Sequence, residues 1–301
     1  MNIQYGQLLK KSWEDLKKNY IIFLPLVYGF LAFLGLGVLV VLEVIFFKVL
    51  GLNLDLKLKV MPQLSTLVFL SLALLLDLCI LILISISISS MGIELFTAIA
   101  KNKKATSQDM WNGLKKYTFL SFKIGLLKCT AVIIPLLVLT IIALLGFRVS
   151  KTVGIIGAIV VGLVALLIFV VLSLVITFGL FFIQPIMGVS ENLEAIKLIK
   201  ESMKYTKEHL SHVLITWVII FGIGLGVEGI FRIMTLPFYL IDSISPILIL
   251  IAIPLIFIGI FVLIVVNYWL KLFLFNSYFN STTTTIIEEV KPKRKQVKKE
   301  K

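Results

Sequence analysis

The chain has 301 residues, 59% of them apolar, and carries a net charge of +13, with a mean hydropathy of +1.08. A soluble domain has roughly 45–50% apolar residues, so a water-soluble enzyme, a disordered protein and a disulfide scaffold are excluded. With 29 Lys and Arg and 16 Asp and Glu leaving long stretches uncharged, the composition predicts an all-α, polytopic membrane protein.

In residues 7–20, Leu9, Trp13, Leu16 and Tyr20 fall on one narrow stripe at a period of 100° per residue. Lys10, Lys11, Glu14, Asp15, Lys17 and Lys18 occupy the rest of the circumference. This pattern predicts a helix lying in the membrane interface, rings and aliphatic groups toward lipid and lysines toward phosphate. The apolar run that follows reads as a retained span and not a leader, because the charged region is long and no A-x-A site closes it.

A hydrocarbon core about 30 Å thick takes roughly 20 helical residues. Six windows meet that length: 21–42, 64–93 interrupted by Asp77, 119–147, 153–186, 213–231 and 244–270. The fourth exceeds what a bilayer needs and is expected to tilt, or to leave the membrane before Pro185. Lysines set the orientation. The N-terminus, the second and fourth connections and the tail together hold 21 Lys and Arg, against 6 in the odd connections. Both termini are therefore expected in the cytoplasm, with the spans in the cell membrane.

The stripe recurs as Ile199, Met203, Thr206 and Leu210, with Ser202 in the place of Ser12. Between the two, Trp111 to Lys116, including Leu114, echoes Trp13 to Lys18. The chain thus parses into three repeats of an interfacial amphipathic helix plus two spans, about 1–95, 96–190 and 191–280, before a basic tail at 281–301. Mitochondrial carriers also have three repeats of two spans, but their Pro-x-acid-x-x-base signature is absent at Pro25, Pro135 and Pro254. Those prolines are expected to kink their spans.

The run from Pro185 to Ile196 followed by Ser202, and the segment 92–116 with Asp109, Trp111 and Gly113, resemble uncharacterised prokaryotic six-span integral membrane families. These families are related to the membrane domain of glycerophosphoryl diester phosphodiesterase. The resemblance implies a six-span fold. It implies no phosphodiesterase activity, since that barrel needs roughly 250 residues and no stretch outside the spans approaches such a length.

Asp77 lies near mid-span, where an ionised carboxylate costs about 2.5–3.5 kcal/mol. It reads either as a proton or cation site, with Lys128 or Asn267 as partner, or as a carboxyl that locks two helices together. Glu228 and Arg232 form an i,i+4 pair placed at the outer end of span five. Lys123 and Lys128 read as snorkelling lysines or as a phosphate pocket. His209 and His212 read as polar-face residues of the third interfacial helix, and two imidazoles alone make a poor zinc site. Gly222-x-x-x-Gly226 reads as a close-packing motif. Cys79 and Cys129 read as free thiols. Residues 291–301 are basic at seven of eleven positions and are expected to hover, unfolded, at anionic headgroups; nucleic acid is not the expected partner. The sequence has no H-E-x-x-H, G-x-S-x-G, Walker or dinucleotide motif, so neither cofactor nor metal is expected. Three functions are open: a non-enzymatic scaffold that contacts lipid or docks a partner, a permease using Asp77, and a lipid-handling enzyme with Asp77 and Lys128 as its polar pair.

Overall fold

The computed structural model describes residues 3–49, 64–149, 151–191, 194–240 and 246–297, with side chains described for 3–49, 68–141, 155, 157, 159–191, 194–234 and 254–282. Every regular element among them is helical: α1 (Tyr5–Lys18), α2 (Leu24–Val49), α3 (Leu64–Ala100), α4 (Ser107–Val149), α5 (Lys151–Gly179), α6 (Ile183–Val189), α7 (Ala195–Glu208), α8 (Leu210–Leu240) and α9 (Pro246–Val297). Six stretches are long and apolar enough to cross a membrane: Tyr20–Val49, Val68–Ala100, Ser107–Ile141, Ile159–Val189, Leu210–Met234 and Pro254–Thr282. The all-α, six-span expectation is met. Lys57, Lys59 and the basic side chains from Lys291 onward lie outside the described side chains.

Proline explains two breaks. A proline ring clashes with the carbonyl four residues earlier and offers no N–H, yet it is harmless in the first turn of a helix. Pro25 therefore ends the first helix early. The chain leaves α1 at Asn19, passes one 3-10 turn at Tyr20–Phe23 and starts α2 with Pro25 as its second residue. Pro25 thus begins a helix and does not kink one, and Tyr20 lies outside the helix whose stripe it was expected to complete. Pro185 acts alike: α5 stops at Gly179 and Pro185 sits in the first turn of α6.

The middle repeat differs from the expectation of a separate interfacial helix. The Trp111 segment is the start of α4, which continues without interruption to Val149, because no proline follows to stop it until Pro135, which α4 accommodates. Thr106 and Asp109 cap this start: the Asp109 carboxylate accepts from the Thr106 backbone N–H at 2.8 Å, and the Thr106 hydroxyl accepts from the Asp109 N–H at 3.3 Å. The tail also differs, since α9 keeps its backbone helical through Val297 and does not end at 281. Contact along a continuing helix spares those residues the cost of nucleating one alone.

The chain divides into two compact units. One comprises residues 20–95 and 105–122, the other 1–19, 96–104 and 123–301. In the first, α2, α3 and the start of α4 meet where small residues allow it. A Cβ on Gly113 would stand 2.7 Å from the Ser90 carbonyl oxygen, and one on Gly29 would stand 2.4 Å from Ile88 Cδ1. Around these, Tyr117 donates to Glu94 at 2.9 Å, Ser90 donates to Ser121 at 3.3 Å, and Tyr28 meets Trp111 edge-on at 5.3 Å.

In the second unit α1, α6 and α8 pack against α9, and α7 packs against α5, α6 and α8. Its buried side chains concentrate in 96–100, 180–187, 198–216 and 268–281. α3 ends within it on a Schellman turn: Asn102 takes a positive φ of 57°, and the N–H groups of Asn102 and Lys103 close onto the Ile99 and Ala98 carbonyls at 2.8 and 2.9 Å.

Candidate functional site

The polar residues of the second unit collect where α1, α7, α8 and α9 meet. Asn276 on α9 donates to Ser12 Oγ at 3.0 Å and to Asp15 Oδ2 at 3.2 Å, and the Trp269 indole N–H donates to the Leu9 carbonyl at 3.0 Å. Trp13 meets Trp269 edge-on at 5.6 Å, with Lys17 Nζ 5.3 Å above the Trp13 ring. These bonds hold α1 along α9 over about two turns.

His212 is fully engaged and buried, which corrects its expected place on a solvated polar face. Its Nδ1 lies 2.9 Å from the Tyr5 hydroxyl and its Nε2 lies 3.2 Å from Ser277 Oγ, and the ring stacks with those of Tyr5 and Phe182. Ser277 also meets Thr216 at 3.1 Å. The helix breaks at His209, so His212 belongs to α8 and its face turns toward α9. Burial holds the Tyr5 phenol above its usual pKa, and holds that of Tyr205, bonded to Ser281, higher still. Among the described residues, no three His, Cys, Asp or Glu side chains cluster to hold a metal ion.

α7 satisfies the end of α5. The last carbonyls of a helix lack intrahelical donors, and those of Phe178 and Gly179 accept from Thr206 at 3.0 Å and Ser202 at 2.8 Å, one turn apart on α7. Thr206 therefore faces protein, as Leu16 does on α1, although both belong to stripes expected to face lipid. Leu9, Leu114 and Ile199 are half-buried. The other stripe residues stay open: Trp13 is 37% exposed, Trp111 42%, Met203 41% and Tyr20 83%. Beside the first three, the residues preceding each in sequence, Ser12, Met110 and Ser202, are fully buried.

A groove of about 890 Å³ runs between α8 and α9. Phe221, Leu225, Leu263 and Val266 give it apolar walls, Lys271 and Asn267 lie toward one end, and Glu228 and Arg232 lie toward the other. Glu228 and Arg232 do form their i,i+4 pair, with Arg232 Nε donating to Glu228 Oε1 at 3.1 Å. Lys271 has its ammonium 5.6 Å from the Tyr268 ring centroid and makes no ion pair among the described residues.

The glycines that shape the α8–α9 contact are not the expected ones. A Cβ on Gly222 or Gly226 would meet nothing within 4 Å, whereas one on Gly259 would stand 2.0 Å from the Phe231 ring. Gly222-x-x-x-Gly226 is thus no helix-packing motif among the described residues.

Asp77 is in the first unit, whereas Lys128 and Asn267 are in the second. Asp77 Oδ1 is buried and has no hydrogen-bond partner among the described residues. Lys128 lines a smaller cavity of about 370 Å³ with Cys129, Ser173 and Thr177, apart from the groove that holds Asn267. Cys79 and Cys129 are free.

Sequence reading missed Asn276, Ser277 and Lys271. Lys271 falls one residue past the sixth expected window, 244–270. The run Tyr268-Trp269 just before it carries the interfacial aromatic signal that would have marked its level.

These features define the class: an all-α, multi-pass membrane protein with six helices long and apolar enough to cross a bilayer. No protein-family model, curated protein or solved structure matches the chain.

Proposed function

We propose that the chain is a non-enzymatic scaffold of the cell membrane, with both termini in the cytoplasm, that contacts anionic lipid through α1, α7 and the start of α4. The carrying observation is the threefold pairing of an open Trp13, Trp111 or Met203 with a fully buried preceding residue. Each segment is pinned to protein through one residue and leaves a large apolar side chain partly exposed at the next. Lysines Lys10, Lys17, Lys115, Lys116, Lys200 and Lys204 accompany the exposed groups, each contributing about 1 kcal/mol near an anionic surface.

The test is fluorescence quenching of the full chain in vesicles that contain brominated anionic lipid. Quenching is expected to fall when Trp13 and Trp111 are both replaced by Phe. Quenching equal in the variant and the native chain would remove the basis for lipid contact.

A second reading, a small-solute or ion permease, rests on the partnerless Oδ1 of Asp77. A buried carboxylate oxygen without a donor is stabilised by a proton or a cation. Proteoliposomes loaded with a pH dye distinguish the two: a flux abolished by Asp77→Asn supports the permease, and its absence in the native chain supports the scaffold.

A further inference from the structure

We infer that the α8–α9 groove is a binding site for one anionic phospholipid, with the phosphate on Lys271 and an acyl chain along the apolar walls. The inference rests on the membrane placement proposed above, and it goes beyond surface adhesion by assigning a stoichiometric internal site.

Three observations carry it. The first is register. The Thr216–Ser277 hydrogen bond and the seating of Phe231 against Gly259 align α8 and α9 antiparallel. From Ile220 to Arg232 the groove then extends about 18 Å at 1.5 Å per residue, close to the roughly 15 Å of one leaflet of the hydrocarbon core. The second is charge. Glu228 and Arg232 neutralise each other at the far end, so the net charge of the groove is that of Lys271, which has no carboxylate among the described residues. A cation over an aromatic ring at one end of an apolar slot complements a phosphate joined to hydrocarbon. Tyr268 and Trp269 beside it are the residue types that settle at headgroup level. The third is space. The volume of about 890 Å³ lies within the roughly 300–1,000 Å³ of ligand sites. Gly224 on its wall leaves the slot open, since a Cβ there would meet nothing within 4 Å.

The full chain in neutral detergent is mixed with equal phosphatidylglycerol and phosphatidylcholine, and retained lipid is read by native mass spectrometry. One phosphatidylglycerol per chain is expected. Lys271→Gln should lower its retention about fivefold, as loss of one lysine at an anionic headgroup implies, and Lys271→Arg should restore it. Gly224→Leu fills the slot and should expel either lipid, whereas Gly226→Leu, whose Cβ also meets open space but which does not line the groove, should not. Unchanged thermal unfolding in both leucine variants separates occupancy from misfolding. The site is overturned by equal retention of the two lipids in the native chain, by a preference that survives Lys271→Gln, by lipid retained in Gly224→Leu, or by a second copy of the chain in place of lipid. Tryptophan quenching by brominated lipid does not depend on Lys271, so surface contact can persist when the groove fails, and the reverse.

Discussion

The ring of Phe231 on α8 fills the space that a side chain on Gly259 of α9 would need, with Cε2 2.0 Å from where a Cβ would stand. An aromatic ring held between two helices cannot retreat without opening their contact. Gly259→Ala should therefore cost about 1–3 kcal/mol by overpacking, whereas Gly222→Ala and Gly226→Ala should stay within about 0.5 kcal/mol. Thermal unfolding of the three variants in one detergent checks the difference. Equal losses would contradict the α8–α9 register.

A similar contrast holds in the other unit. The obstacle at Gly113 is the backbone carbonyl of Ser90, and the obstacle at Gly29 is the terminal methyl of Ile88. A methyl at the end of a flexible side chain moves aside by a rotamer change, but a helix backbone does not. Gly113→Ala is expected to separate α4 from α3 and break the Tyr117–Glu94 hydrogen bond, with the larger fall in unfolding temperature. Gly29→Ala is expected to be mild.

Asn276 fastens α1 through two hydrogen bonds. Asn276→Leu removes both donors and leaves Asp15 without this partner, a loss of about 1–3 kcal/mol. Amide hydrogen exchange should then accelerate roughly tenfold or more across α1, with α8 less affected. Unchanged exchange in α1 would mean that Trp269 and Tyr5 hold it unaided.

Alkali tests the same interface. Burial raises the pKa values of Tyr5 and Tyr205 above the ordinary 10.0, so the folded chain holds these protons more tightly than the unfolded chain. Their contribution is fully present below the unfolded value and is lost as pH rises through the folded one. Exchange across α1 corrected for intrinsic rate should be flat from about pH 8 to 9 and should climb above about pH 10. Tyr5→Phe should remove the share due to Tyr5.

The six spans were legible in the sequence because hydropathy is a local sum, and 18 or more apolar residues have few other uses. α1 and α7 were legible from their period. The stripes are corrected at two positions. Leu16 and Thr206 lie against protein, while Trp13, Trp111 and Met203 remain open, and periodicity cannot separate these cases because a helix sees lipid and protein interior as equally apolar. His212 sits in the packed junction because the break at His209 rotates its face, and neither residue betrays a break.

Composition, span number and the crowding of lysines at particular helix ends were thus settled by sequence alone, through transfer free energies that depend on residue type and length. Tertiary structure decided which side chains share a groove. Asn276 reaches Ser12 across 264 positions, Phe231 seats on Gly259, and Lys271 and Glu228 come to opposite ends of one slot. These are matters of register and shape between helices whose apolar surfaces are, residue by residue, interchangeable.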